Sequence, residues 1–153
     1  MSKPGLLSIP FFSLGFRPFF LAATGYAVVA MSVWFGVFAF GLQAGFAGLP
    51  ATIWHAHEMV YGYTLAVIAG FLLTAVSNWT GLQTLRGTPL LVLLLLWLTA
   101  RTAFYVPQLG IVWSAGADTL FCLYLVIAVT VPIVRKRQWQ QIGTVAKLAL
   151  ANR

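Results

Sequence analysis

Five ionisable side chains stand inside otherwise apolar stretches of this sequence, and they are the residues best able to do chemistry. They are His55, His57, Glu58, Arg101 and Asp118. Ionisable groups are costly inside a membrane, and where they occur they mark functional sites. An imidazole can bind a metal or carry a proton, and a carboxylate can orient it. The residue types therefore predict a polar layer in which metal binding is one available chemistry.

The composition places this layer in a membrane. Hydrophobic residues make up 61% of the 153-residue chain and charged residues 7%, whereas a soluble domain has about a quarter charged residues. We therefore predict an all-α integral membrane protein. The net charge of +7 comes from basic residues spread along apolar sequence, a pattern that excludes nucleic acid as a partner. One cysteine excludes a disulfide framework and a multi-cysteine zinc site.

Four apolar windows are long enough to cross a bilayer, which makes the lipid bilayer the first expected partner. They cover residues 18–42, 54–80, 88–106 and 111–134. Gly- and Pro-containing links separate them, so we expect antiparallel neighbours in one membrane domain, residues 1–153. The third window is the richest in leucine and is expected to face lipid. Residues 138–150 are predicted to form a weak amphipathic helix at the cytoplasmic interface.

Basic residues predict the orientation of these four spans. With the N-terminus in the cytoplasm, nearly all of them lie on the cytoplasmic side, and the two opposite loops contain none. Those on the cytoplasmic side are Lys3, Arg17, Arg86, Arg135, Lys136, Arg137, Lys147 and Arg153. Both termini are therefore predicted to be cytoplasmic. On this topology all five ionisable residues lie at one depth, near the outer surface.

Helical spacing predicts which way the residues of the second span point. His55, Glu58 and Gly62 share one face because they stand three and four residues apart. His57 lies about 200° around the helix from His55, so the two cannot bind one metal unless the helix is unwound there. The shared face continues as a stripe of small residues that lets another helix approach closely. The stripe consists of Gly62, Ala66 and Gly70.

Structural roles compete with functional ones at each of these positions. Arg101 and Asp118 form either an intramembrane ion pair or part of a reactive site. Glu58 pairs with Arg101 or accepts a hydrogen bond from His55. Tryptophans near the predicted ends are expected to be interface anchors: Trp34, Trp54, Trp79, Trp113 and Trp139. The sequence has no nucleophile constellation, phosphate loop or dinucleotide fingerprint, which argues against a hydrolytic enzyme.

The second span also carries a compact motif, Trp54-His55-Ala56-His57-Glu58-Met59, followed by Ala69-Gly70-Phe71-Leu72 and Asn78-Trp79-Thr80-Gly81. Upstream stands Phe16-Arg17-Pro18-Phe19-Phe20. Together they resemble the NnrS family of haem- and copper-containing membrane proteins, and the resemblance covers the N-terminal four-helix portion of the family pattern.

This resemblance implies a function as well as a location. It implies a multi-pass protein of the bacterial inner membrane that binds haem and/or copper and serves denitrification or resistance to nitric oxide. His55 and His57 match the positions expected to bind the metal, and Glu58, Arg101 and Asp118 would support them. Since later helices of the family pattern are missing, other ligands would come from further membrane subunits or from a homo-oligomer. The alternative is a cofactor-free accessory subunit of a respiratory or photosynthetic complex.

Overall fold

The computed structural model describes residues 10–43, 46, 48–106 and 110–136, and every regular element in this part of the chain is a helix. The all-helical fold class is therefore confirmed for the described residues. A 3₁₀ turn (Pro10–Ser13) precedes α1 (Phe16–Phe40), α2 (Ala51–His57), a π-helical segment (Glu58–Thr64), α3 (Leu65–Thr80), α4 (Thr88–Ala103) and α5 (Gly110–Arg135). The predicted interfacial helix at 138–150 lies outside the described residues.

Three of these helices are long and apolar enough to cross a membrane. They are α1 with 25 residues, the continuous helix Ala51–Thr80 with 30, and α5 with 26. The α2, π-helical and α3 segments follow one another without a break, and we call this continuous helix, Ala51–Thr80, the central helix. The fourth helix, α4, is apolar but has only 16 residues, or about 24 Å. A complete crossing by α4 therefore stays a prediction.

Glycines end two of the long helices. Gly41 follows α1 with φ 64°, and its backbone N–H donates to the carbonyl oxygens of Gly36 and Val37. Gly81 follows α3 with φ 66°, and its N–H donates to Ser77 O at 2.9 Å. A left-handed residue of this kind satisfies carbonyls that the last turn leaves open, and glycine adopts it without steric cost. The chain can therefore reverse between antiparallel helices within a short loop.

The core lies where the central helix meets the other three helices. The face of α4 that carries Leu90, Leu93 and Trp97 is buried, as is the face of α5 that carries Phe121 and Val129. Along the chain, α4 packs against α5, and α1 packs against α3 and the π segment. Gly70 allows α1 to pack closely against α3, because a Cβ there would stand only 3.1 Å from the Phe20 ring. The small residue thus sets how closely α1 approaches.

The leucine-rich third window is not the helix most exposed to lipid, contrary to its expected role. Helix α4 turns one whole face inward, with its buried residues three and four positions apart. The most apolar stretch of α1 has only 17% of its residues buried, against 44% in the central helix and in α5. The leucine content of the window predicted the wrong helix as the most exposed one, because the spacing of large residues along a helix, and not their number, decides which face packs against a neighbour.

Candidate functional site

Arg101 is the centre of a group of buried polar side chains. Its side chain is 2% exposed, and its Nη2 donates to both carboxylate oxygens of Asp118, at 2.6 Å to Oδ1 and 2.5 Å to Oδ2. Its Nε stands 3.3 Å from Glu58 Oε2. The ion pair considered for Arg101 and Asp118 therefore forms, and the same guanidinium also faces the second of the chain's two acidic residues.

Glu58 is fully buried and is shared among three helical elements. Its Oε2 accepts a hydrogen bond from the Tyr26 hydroxyl of α1 and faces Arg101 of α4. Its Oε1 lies 2.9 Å from His57 Nδ1. Of the two partners considered for Glu58, the structure shows Arg101, while the bonded histidine is His57 and not His55.

We call Tyr26, His57, Glu58, Arg101 and Asp118 the buried polar cluster. It joins α1, the central helix, α4 and α5 at one level of the bundle. Tyr26 is the member that sequence reasoning missed, since its side chain carries no charge at neutral pH. The available signal was a phenol in an apolar span, because a buried hydroxyl needs a hydrogen-bond partner where no water reaches it.

His57 bridges the two carboxylates at the edge of this cluster. Its Nδ1 contacts Glu58, its Nε2 lies 3.7 Å from Asp118 Oδ2, and 26% of its side chain is exposed. The ring stacks on Tyr61 with centroids 4.7 Å apart and meets the edge of Phe104 at 5.1 Å. These contacts hold the imidazole plane in one orientation between the two acidic groups.

His55 points away from the buried polar cluster. Its ring stacks on Trp34 of α1, with centroids 4.5 Å apart and planes 11° from parallel. Its Nδ1 is buried and has no hydrogen-bond partner. Next to it, Trp54 is fully buried and stacks on Phe46 at 4.1 Å. Trp54 is therefore a core residue, and its expected role as an interface anchor is wrong.

The π-helical segment lies directly beneath these histidines. A π-helix turns through i→i+5 hydrogen bonds, and such segments are frequent at functional sites. Here the Gly62 carbonyl oxygen accepts a hydrogen bond from Trp97 Nε1 of α4 at 2.9 Å. Thr64 Oγ1 donates to Met59 O at 2.8 Å. Side-chain hydroxyl and indole groups thus donate hydrogen bonds to two backbone carbonyl oxygens of the π-helical segment.

Gly62 is buried beside the buried polar cluster. Ala66 and Gly70, farther along the small-residue stripe, are also buried. A Cβ at position 62 would stand 2.6 Å from Tyr26 Cε1, 2.9 Å from Glu58 Oε2 and 3.2 Å from Arg101 Nη1. The first two distances are shorter than real Cβ atoms show, and the third is tighter than most real Cβ contacts. The missing side chain at Gly62 therefore lets the tyrosine, the carboxylate and the guanidinium meet.

The described residues contain no group of three or more His, Cys, Asp or Glu side chains arranged to hold a metal ion. The carboxylates of Glu58 and Asp118 both face Arg101. The two histidines lie on different sides of the central helix, one against Trp34 and the other against Phe104. Each histidine is therefore a separate candidate donor and the two do not form one chelating pair.

Comparison with known proteins places the chain in a family. The family model described as NnrS protein matches residues 10–152, which is most of the chain. No curated protein and no solved structure gave a match. The matched region includes the whole buried polar cluster and both histidines. The chain belongs to the NnrS family, a family of membrane proteins related to nitric oxide.

Proposed function

We propose that this protein binds haem or copper in the bacterial inner membrane and acts in nitric oxide metabolism or resistance, with His55 and His57 as the metal-binding residues. Membership of the NnrS family supports the nitric oxide connection. The observation that supports the metal assignment is the buried Nδ1 of His55, which has no hydrogen-bond partner. Trp54 Nε1 is unpartnered as well, but an indole N–H only donates, whereas an imidazole nitrogen can bind a metal.

The two histidines fit a haem iron better than a closed copper site. His57 has one nitrogen held by Glu58, an arrangement that orients metal-binding imidazoles in proteins. Histidine nitrogens hold haem iron in many proteins, and His55 and His57 would each offer one nitrogen to hold it here. A copper site with several protein donors needs more ligands than the described residues bring together. Further donors would come from a partner subunit or a second copy.

A bound haem would supply redox chemistry and affinity for small diatomic molecules such as nitric oxide. The residues of this chain would orient and shield that group. Glu58 orients the His57 ring, and Arg101 offsets part of the charge of Glu58 and Asp118. Trp34 holds the His55 ring flat against α1.

The test is a reduced-minus-oxidised absorption spectrum of the purified chain in mild detergent, with metal analysis of the same sample. We expect a Soret band that is lost in the His55→Ala variant and altered or lost in His57→Ala. The chain has two histidines, so no third histidine is present whose change to alanine could serve as a control. Tyr63→Phe is the control variant instead. An unchanged wild-type spectrum in both histidine variants would refute the site.

A cofactor-free accessory subunit is the second candidate, and one observation favours it. Each carboxylate of the buried polar cluster is paired within the chain, as expected of groups that fix the fold of a bundle. This role predicts a stoichiometric partner after gentle solubilisation and no metal. A haem-loaded homo-oligomer free of other chains would contradict it.

A further inference from the structure

Helix α4 contacts the π-helical segment at two points, one turn apart. Trp97 Nε1 donates to the Gly62 carbonyl oxygen at 2.9 Å, and Trp97 is 1% exposed. Arg101, four residues farther along α4, places its Nε 3.3 Å from Glu58 Oε2. Glu58 and Gly62 also stand four residues apart, so one face of α4 meets one face of the π-helical segment. Glu58 is the first residue of that segment, and the two contacts therefore span most of its length.

The indole hydrogen bond is the contact that depends on the backbone of the segment. A carbonyl oxygen moves with its own turn of helix, whereas a long side chain such as Glu58 can swing toward a partner. Trp97 lies in the core, where no water is available to replace a lost acceptor. A buried N–H group without a partner is costly. The hydrogen bond therefore favours the backbone conformation in which the Gly62 carbonyl faces α4.

The Trp97 ring is itself held in one orientation. The Tyr26 ring of α1 meets it edge to face, with centroids 5.5 Å apart and planes at 82°. The Tyr26 hydroxyl in turn donates to Glu58, and Leu93 lies on the same buried face of α4 as Trp97. The indole N–H thus has a fixed direction, and the Gly62 carbonyl must lie where this direction meets it.

The width of the π-helical segment decides how the chain before it faces. A π turn contains one residue more than an α turn. If the segment narrowed to α turns, the Gly62 carbonyl would turn away from Trp97, and α2 would rotate about its axis. His55, whose ring stacks on Trp34 at 4.5 Å, would then leave that partner. The acceptor of Trp97 and the direction of His55 therefore belong to the same backbone conformation.

We infer that Trp97 is a positioning residue for the two histidines. Its hydrogen bond to Gly62 holds the π turn, and the π turn directs His55 against Trp34. Trp97 acts from α4 through the backbone of the central helix. As a statement about metal binding this inference rests on the proposed function, because it concerns the histidines proposed there as ligands. As a statement about their direction it needs no bound metal.

The test is the rate at which diethyl pyrocarbonate modifies His55 in the purified full chain in detergent, followed by mass spectrometry of its peptides. Trp97→Phe keeps an aromatic ring and removes the N–H. We expect this variant to be modified at His55 about threefold to tenfold faster, the factor by which the loss of one hydrogen bond shifts an equilibrium. Leu93→Val is the matched control, since it loosens the same buried face of α4 one turn away and leaves the hydrogen bond in place.

Two results would overturn the inference. One is an unchanged rate at His55 in Trp97→Phe, and the other is an equal increase in Leu93→Val, which would make Trp97 a packing residue only. Trp97→Leu also lacks the N–H, and it gives a second reading if Trp97→Phe does not keep the wild-type elution volume. A wild-type chain without haem or copper would refute the proposed function and leave the comparison of modification rates valid.

Discussion

Arg101 holds two carboxylates in a region that water does not reach. A buried ion pair contributes little net stability compared with apolar packing, but removal of one partner leaves an uncompensated charge. Because Glu58 and Asp118 both face this guanidinium, its loss exposes two carboxylates to that cost at once.

The first prediction concerns Arg101→Met, which keeps an apolar side chain similar in length to the arginine stem and removes the charged guanidinium. We expect a loss of about 3–5 kcal/mol in the free energy of unfolding, measured by denaturant titration in detergent. Arg86→Met is the control, because Arg86 is exposed and its loss should cost little. Equal stability of Arg101→Met and the wild type would contradict the expected cost of leaving the two buried carboxylates without their cation.

The second prediction concerns the hydroxyl of Tyr26. Tyr26→Phe removes the donor to Glu58 Oε2 and leaves the ring against Trp97, whose centroid is 5.5 Å away. We expect a loss of about 1–3 kcal/mol in the same unfolding measurement, because the buried carboxylate loses its hydrogen-bond donor on α1 and keeps only Arg101 at that oxygen. Tyr63→Phe, at an exposed position, should be neutral. A similar effect of both changes would mean that the Tyr26 hydroxyl is dispensable.

Among the elements, the central helix depends on glycine where it passes α1 and α4. Two glycines that sit within helices offer a matched comparison. Gly62 leaves no room for a Cβ, whereas a Cβ at Gly25 of α1 would meet nothing within 4 Å. The same chemical change therefore has opposite expected effects at the two positions.

We expect Gly62→Ala to destabilise the protein by about 1–3 kcal/mol, because the added methyl group forces Tyr26 or the helices apart. Gly25→Ala should stabilise it by a few tenths of a kcal/mol to about 1, through the higher helix propensity of alanine. Thermal unfolding in one detergent measures both. Equal destabilisation by the two alanines would show that Gly62 is not a contact point.

How much of this arrangement the sequence could predict differs from residue to residue. Apolar windows were enough to predict helices, and the depths of Glu58, Arg101 and Asp118 in them were enough to predict a shared layer. The partner of Glu58 could not be chosen, because the choice depends on how the helices rotate against one another. Tyr26 and Trp97 were missed because they contribute neutral donors that hydropathy and charge do not count. The π-helical segment has no periodicity of its own to detect.

For the whole molecule, the distribution of charge predicts an orientation. The described Lys and Arg residues other than Arg101 lie at one end, and both acidic residues lie toward the other; the four are Arg17, Arg86, Arg135 and Lys136. The positive-inside rule then predicts that the cationic end faces the cytoplasm and that the loop at Gly48 lies outside.

This orientation can be tested with single cysteines in a Cys122→Ala background, which removes the only native thiol. We expect a membrane-impermeant maleimide to label Gly48→Cys in spheroplasts and Gln83→Cys only after the membrane is permeabilised. The reverse pattern would invert the predicted topology.

The π-helical segment also has a consequence for the direction in which the histidines face. An α-helix advances about 100° per residue, and a π turn contains one residue more than an α turn. Deletion of Val60, which is exposed, would let Glu58–Thr64 rewind as an ordinary α-helix. Because a π turn needs one residue more for the same rotation, the shortened α-helical segment would leave His55 facing nearly the same way relative to α3. The same seven residues wound as α-helix without the deletion would instead turn His55 by about 100°, away from Trp34. The number of residues between the histidines and α3, together with the width of the π turn, therefore determines the direction in which the histidines face.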